Sequence, residues 1–238
     1  MKKITIFTCI IVMTLSLQSQ VVRMFHYIKD ENEIEIQVDR IDSITFEKFT
    51  VPHSSVGVLI NGVTWATCNV ESPGKFAPHP SAPGMFYQWN RRVGWSSKDP
   101  LANHEGGATW NNSTPTGNIW EKANDPCPTG WRVPTRNELQ SLVTSGSFWG
   151  ELNGEFGCFF GNGSQRAFFN AASYRIDAGQ LIGWLDDPYG LYWSSTSFGS
   201  NYAYNLFFNN SYLMSGNSYA ITEYIRRNWG FPVRCVAE

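Results

Sequence analysis

Asp125-Pro126-Cys127-Pro128-Thr129-Gly130-Trp131-Arg132-Val133-Pro134-Thr135-Arg136-Asn137-Glu138 contains the clearest helix start in the chain. Thr135 and Glu138 stand three apart, the spacing of a capping box, in which the threonine hydroxyl accepts from the Glu138 N–H and the glutamate reaches back. Pro134 and Leu139 occupy the staple positions around it. Leu139, Leu142 and Val143 continue as an i, i+3, i+4 stripe and Gly146 is a plausible stop, so the spacing predicts a helix of about 10 residues that packs by one face. Its role is structural.

Around that helix the chain reads as strands and loops. Gly57 to Val70 forms a hairpin about Asn61-Gly62, the strongest short-range turn signal. Residues 90–118 form a long aperiodic loop, and its Trp95 and Trp110 argue against disorder. They either line a groove or fold down as a plug, and the plug is expected. Residues 148–191 are rich in Gly and aromatics, with Phe168 and Phe169 in a core strand. Asp186 and Asp187 read as a solvated turn; the alternative is a contribution to a Ca²⁺ site, which takes several oxygen ligands.

Composition sets the class. With 238 residues, 15% aromatic, 16% charged and a net charge of −2, the chain suits a loop-rich β-containing protein of one large domain, or one plus a small one. No basic field is present to attract nucleic acid. Met1-Lys2-Lys3 and the apolar run to Leu17 resemble a secretory signal over residues 1–19, too short for a span of about 20 apolar residues. The mature chain is therefore expected to lack a membrane span and to be exported: periplasmic, outer-membrane-associated or extracellular. Residues 20–50 alternate as a small β segment, a hairpin plus a third short strand at Ile41-Asp42-Ser43-Ile44-Thr45-Phe46, similar to the N-terminal segment of many exported Bacteroidetes proteins. Residues 51–56 read as a linker.

Chemistry-bearing motifs are missing. There is no Gly-x-Ser-x-Gly elbow, phosphate loop or His-Glu-x-x-His, and His26, His53, His79 and His104 are scattered. Asp99, Glu105, Glu121, Asp186 and Asp187 offer glycosidase carboxylates in number only. No enzyme activity and no cofactor are expected.

Asp125 to Thr135, Tyr192-Trp193-Ser194-Ser195-Thr196 and Val233-Arg234-Cys235-Val236, in this order, resemble the Fibrobacter succinogenes major paralogous domain over residues 57–238. The resemblance implies an α+β, C-type-lectin-like fold: a small twisted antiparallel sheet, one or two helices, and long loops. It does not imply a function. Four cysteines remain after the leader, with three pairings open. Cys127 with Cys235 is the expected pair, because both sit in these motif segments. The Glu-Pro-Asn or Gln-Pro-Asp triplet of calcium-dependent sugar binders is absent. Formylglycine-generating enzymes share the lectin-like fold and a Gly-Phe-Arg-type ending, but here Gly230-Phe231 is followed by Pro232-Val233-Arg234, with no close cysteine pair.

Between the last two motifs roughly half the residues are Ser, Asn or Tyr, the composition of antibody contact loops. Period-two alternation puts Tyr204, Leu206 and Phe208 on a core face and Asn205, Phe207 and Asn209 on the other. The stretch is similar to the variable region of diversity-generating-retroelement targets. By that similarity Tyr202, Asn205, Phe207, Asn209, Tyr212, Tyr219, Tyr224 and Asn228 face a protein or carbohydrate ligand. The expectation is an exported recognition or adhesion protein, with a structural surface or fimbria-associated subunit as the alternative.

Overall fold

The computed structural model describes residues 23–26, 34–37, 57–183, 188–210 and 220–238. The chain divides into two units, residues 1–49 and 50–238. In the first, Arg23–His26 pairs antiparallel with Ile34–Gln37. The leader, the strand expected at 41–46 and the linker lie outside the described residues, as do Asp186 and Asp187.

The second unit is α+β and mostly β: antiparallel sheets with one α-helix among its described residues. One sheet runs Val58–Ile60, Val63–Ser72, Arg234–Ala237, Trp131–Arg132 in space. Its first turn places Asn61 and Gly62 at φ 46° and 80°. Both are left-handed, as a two-residue hairpin loop demands. Near the other end of the unit, Arg234 pairs with Asn69 and Val236 with Trp65, so the last strand lies against the second. Cys127 and Cys235 are disulfide-bonded, tying the Asp125–Thr135 run to that last strand. Cys68 and Cys158 are free thiols.

The helix spans Arg136–Val143. Thr135 Oγ1 accepts from the Glu138 N–H at 3.3 Å, and the Thr135 N–H donates to Glu138 Oε2 at 2.7 Å. Arg132 adds a bidentate pair to the same carboxylate, at 2.9 and 2.5 Å. The helix ends at the Thr144 cap, before Gly146 (φ 92°) carries the chain into the strand Ser147–Leu152. Leu139, Leu142 and Val143 are buried in one core with Tyr192, Leu206 and Phe208. Fully burying each leucine contributes about 1.5–3 kcal/mol. A second core gathers Trp89, Trp120, Trp193, Phe231 and Val233.

Buried arginines hold the loops. Arg234, fully buried, donates to Asn69 Oδ1 and to the carbonyls of Ala66, Thr67 and Phe168. Arg175 donates to the carbonyls of Ser96, Lys98 and Gly179 and pairs with Asp99 at 3.1 Å. Arg227 donates to the carbonyls of Pro115, Gly117, Gly199 and Tyr202. Carbonyl dipoles thus replace the water a buried cation would otherwise lose. Residues 90–118 are not wholly aperiodic: Gly94–Trp95 is a short strand paired with Phe86–Gln88, and Trp95 and Trp110 fold down, buried with ring centres 5.0 Å apart.

Candidate ligand-binding face

A three-stranded antiparallel sheet carries part of the Ser/Asn/Tyr-rich stretch: Tyr189–Phe198, Tyr202–Asn209 in the middle, and Ala220–Arg226 outermost. Its register assigns the faces. Tyr192 pairs with Leu206 and Leu206 with Thr222, Tyr204 pairs with Tyr224, and Tyr202 lies between Phe198 and Arg226. These residues share one face, since directly paired residues point the same way. On the reverse face Trp193 pairs with Asn205 and Asn205 with Glu223, and Leu191 pairs with Phe207.

The helix covers only half of the first face, the half holding Tyr192, Leu206 and Phe208. Beyond that half, rings of the described residues are exposed. Phe198, Tyr202 and Tyr224 are 39%, 38% and 53% exposed, and Tyr204 is half-buried among them. Phe198 stacks on Tyr224 with centroids 4.0 Å apart and meets Tyr204 at 5.4 Å, and Tyr202 meets Tyr224 edge-on at 5.9 Å. Arg136, at the first helical position, lies over the Tyr204 ring at 4.1 Å and donates from Nε to Thr222 Oγ1 at 3.5 Å. Exposed Arg226 stands beside Tyr202. Neither arginine is ion-paired with a described residue.

The sequence motifs build the support under this face. Ser194 Oγ donates to the Tyr204 carbonyl at 2.7 Å, and Arg227 Nε to the Tyr202 carbonyl at 2.9 Å. Thr196 Oγ1 accepts from the Arg136 N–H at 3.0 Å. Tyr192 and Trp193 are fully buried, with the indole N–H donating to the Tyr87 carbonyl. Scaffold bonds of this kind fix the ring positions from below.

This distributes the expected site residues unevenly. Tyr202 and Tyr224 lie in the open cluster. Asn205 and Asn209 are buried, at 0% and 6% exposure, and Phe207 is half-buried against Tyr189. The face expected to be open therefore packs on the second core, where Trp193 and Ala203 lie. Asn228 staples a loop, its amide donating to the Asn112 carbonyl and its own carbonyl accepting from Gln88 Nε2. Tyr212 and Tyr219 lie outside the described residues. Phe198, Tyr204, Arg136 and Arg226 were not anticipated. Phe198 precedes and Tyr202 follows a three-residue turn, a spacing that sets them opposite each other and was the available signal.

The other exposed phenylalanines among the described residues, Phe148 and Phe156, lie apart. Phe148 faces Phe159 across its sheet, whereas Phe156 pairs with Glu151 on the opposite face. Among the described residues no three His, Cys, Asp or Glu side chains converge as metal ligands. Cys158 is fully buried, and burial pushes its thiol up to about 12 against hydrogen bonds with Ser147 and Phe148 that act the other way, so it gives no thiolate at neutral pH. No helix among the described residues is long and apolar enough to cross a membrane. Comparison with protein-family models, with curated proteins and with solved structures finds no match for this chain.

Proposed function

We propose that the chain is an exported, non-enzymatic recognition or adhesion protein that binds a protein or glycan ligand through the aromatic face bearing Phe198, Tyr202, Tyr204 and Tyr224. The observation that carries the reading is the contiguity of the exposed rings. Scattered exposed apolar residues are ordinary, but a rimmed cluster of aromatics beside arginine has the composition of binding hot spots. A C-type-lectin-like fold of the major paralogous type accords with small antiparallel sheets, one α-helix among the described residues and long pinned loops. The disulfide between Cys127 and Cys235 accords with an oxidising compartment outside the cytoplasm.

The test is a glycan and protein binding screen of the chain, with and without Ca²⁺, against the double variant Phe198→Ala/Tyr224→Ala. Binding should be lost in the variant while its thermal unfolding stays close to that of the parent. Undiminished capture by the variant would overturn the site.

A further inference from the structure

The strand Ala220–Arg226 is the free edge of its sheet: among the described residues it pairs on one side only. An edge strand presents a row of unpaired N–H and C=O groups, ready to accept another extended chain. On the aromatic face beside this edge stand Arg136 and Arg226, with no carboxylate partner among the described residues. Glu223 is the acid of this strand, and alternation puts it on the reverse face, paired with Asn205. Residues 211–219, which lead into the strand, contain no Asp or Glu. The face thus combines an unpaired strand edge, aromatic area and two positive charges, neither edge nor charges partnered among the described residues.

We propose that the ligand of this face is an acidic protein segment in extended conformation, which adds a strand along Ala220–Arg226 and sets its carboxylates against Arg136 and Arg226. The inference rests on the aromatic face being the binding site and goes on to name the ligand's class and docking mode. An added strand uses the backbone edge for affinity and its alternate side chains for specificity. A glycan can stack on the rings but leaves the ladder groups unused. A second copy of this chain, paired edge to edge about a two-fold axis, would bring four arginines that lack a carboxylate partner among the described residues onto one continuous face. An acidic segment satisfies both features.

The probe is a short synthetic peptide alternating glutamate with threonine, titrated into the full chain by calorimetry. Controls are a lysine–threonine peptide, a glutamate–threonine peptide N-methylated at alternate amides, and polygalacturonate. Saturable binding by the first peptide alone supports the proposal, provided that added salt weakens it and Arg136→Ala/Arg226→Ala lowers affinity about tenfold or more. No binding, equal binding of the N-methylated peptide, or preference for polygalacturonate overturns it. So does a dimer in sedimentation that persists in excess peptide, since the edge would then be taken by a second copy. If the peptide fails while Phe198→Ala/Tyr224→Ala still abolishes capture in the ligand screen, only the docking mode falls. If that aromatic variant captures ligand normally, the binding face falls with it.

Discussion

The guanidinium of Arg136 stands 4.1 Å from the centre of the Tyr204 ring, so the first residue of the helix caps the middle strand of the outer sheet. The helix start and the aromatic face are thereby in direct contact. A double-mutant cycle on Arg136→Ala and Tyr204→Leu, read by denaturant unfolding, should give a coupling of about 0.5–1 kcal/mol. Strict additivity would mean that the stacking has no energetic content.

The capping box gives a prediction with a defined pH dependence. Thr135→Ala removes the hydroxyl that accepts the Glu138 N–H and should cost about 1 kcal/mol. Burial raises the Glu138 pKa, but hydrogen bonds from Arg132 and from Thr135 outweigh it and leave the carboxyl below its usual range. A depressed carboxylate contributes stability above its unfolded value of about 4.3, and that contribution is lost as pH falls through the folded value. Glu138→Gln should therefore be less stable than the parent at neutral pH, with the gap narrowing in acid below about pH 4. A gap independent of pH would contradict the assignment.

Reduction should be costly. The Cys127–Cys235 bridge spans 108 residues of sequence. A loop of that size constrains the unfolded chain by about 4–5 kcal/mol in the chain-entropy account. Cys127→Ala/Cys235→Ala should lower the urea midpoint accordingly, and an unchanged midpoint would show that the bridge adds nothing to stability.

Arg234 reaches three carbonyls and an amide oxygen from a fully buried position. Lysine has one ammonium on a flexible stem and lacks the planar fork. Arg234→Lys should destabilise by about 2–5 kcal/mol through carbonyls left unpaired in the core. A shift within error in thermal unfolding would refute the staple.

Asn205 should respond in the opposite direction. Both amide atoms are buried without a hydrogen-bond partner among the described residues, at the centre of a strand packed on Trp193. An unsatisfied buried polar group costs about 1–3 kcal/mol. Asn205→Leu should leave stability unchanged or raise it, with ligand capture by the aromatic face preserved. Marked destabilisation would show that the amide has a role in the fold.

Local signals determined a good deal unaided. Thr135 and Glu138 contact each other within one turn, so spacing sufficed to place the helix start. Asn61-Gly62 required only two residues of left-handed backbone. Alternation separated the two faces of Tyr202–Asn209 correctly. What alternation lacks is any record of what lies above each face. Tertiary packing set the second core over Asn205 and Phe207 and stopped the helix short of Tyr202 and Phe198, so the open surface is the reverse of the one that polarity suggested. Arg136 joined that surface for the same reason: its contact with Tyr204 spans 68 positions of sequence (204 − 136) and forms only when the helix docks on the sheet.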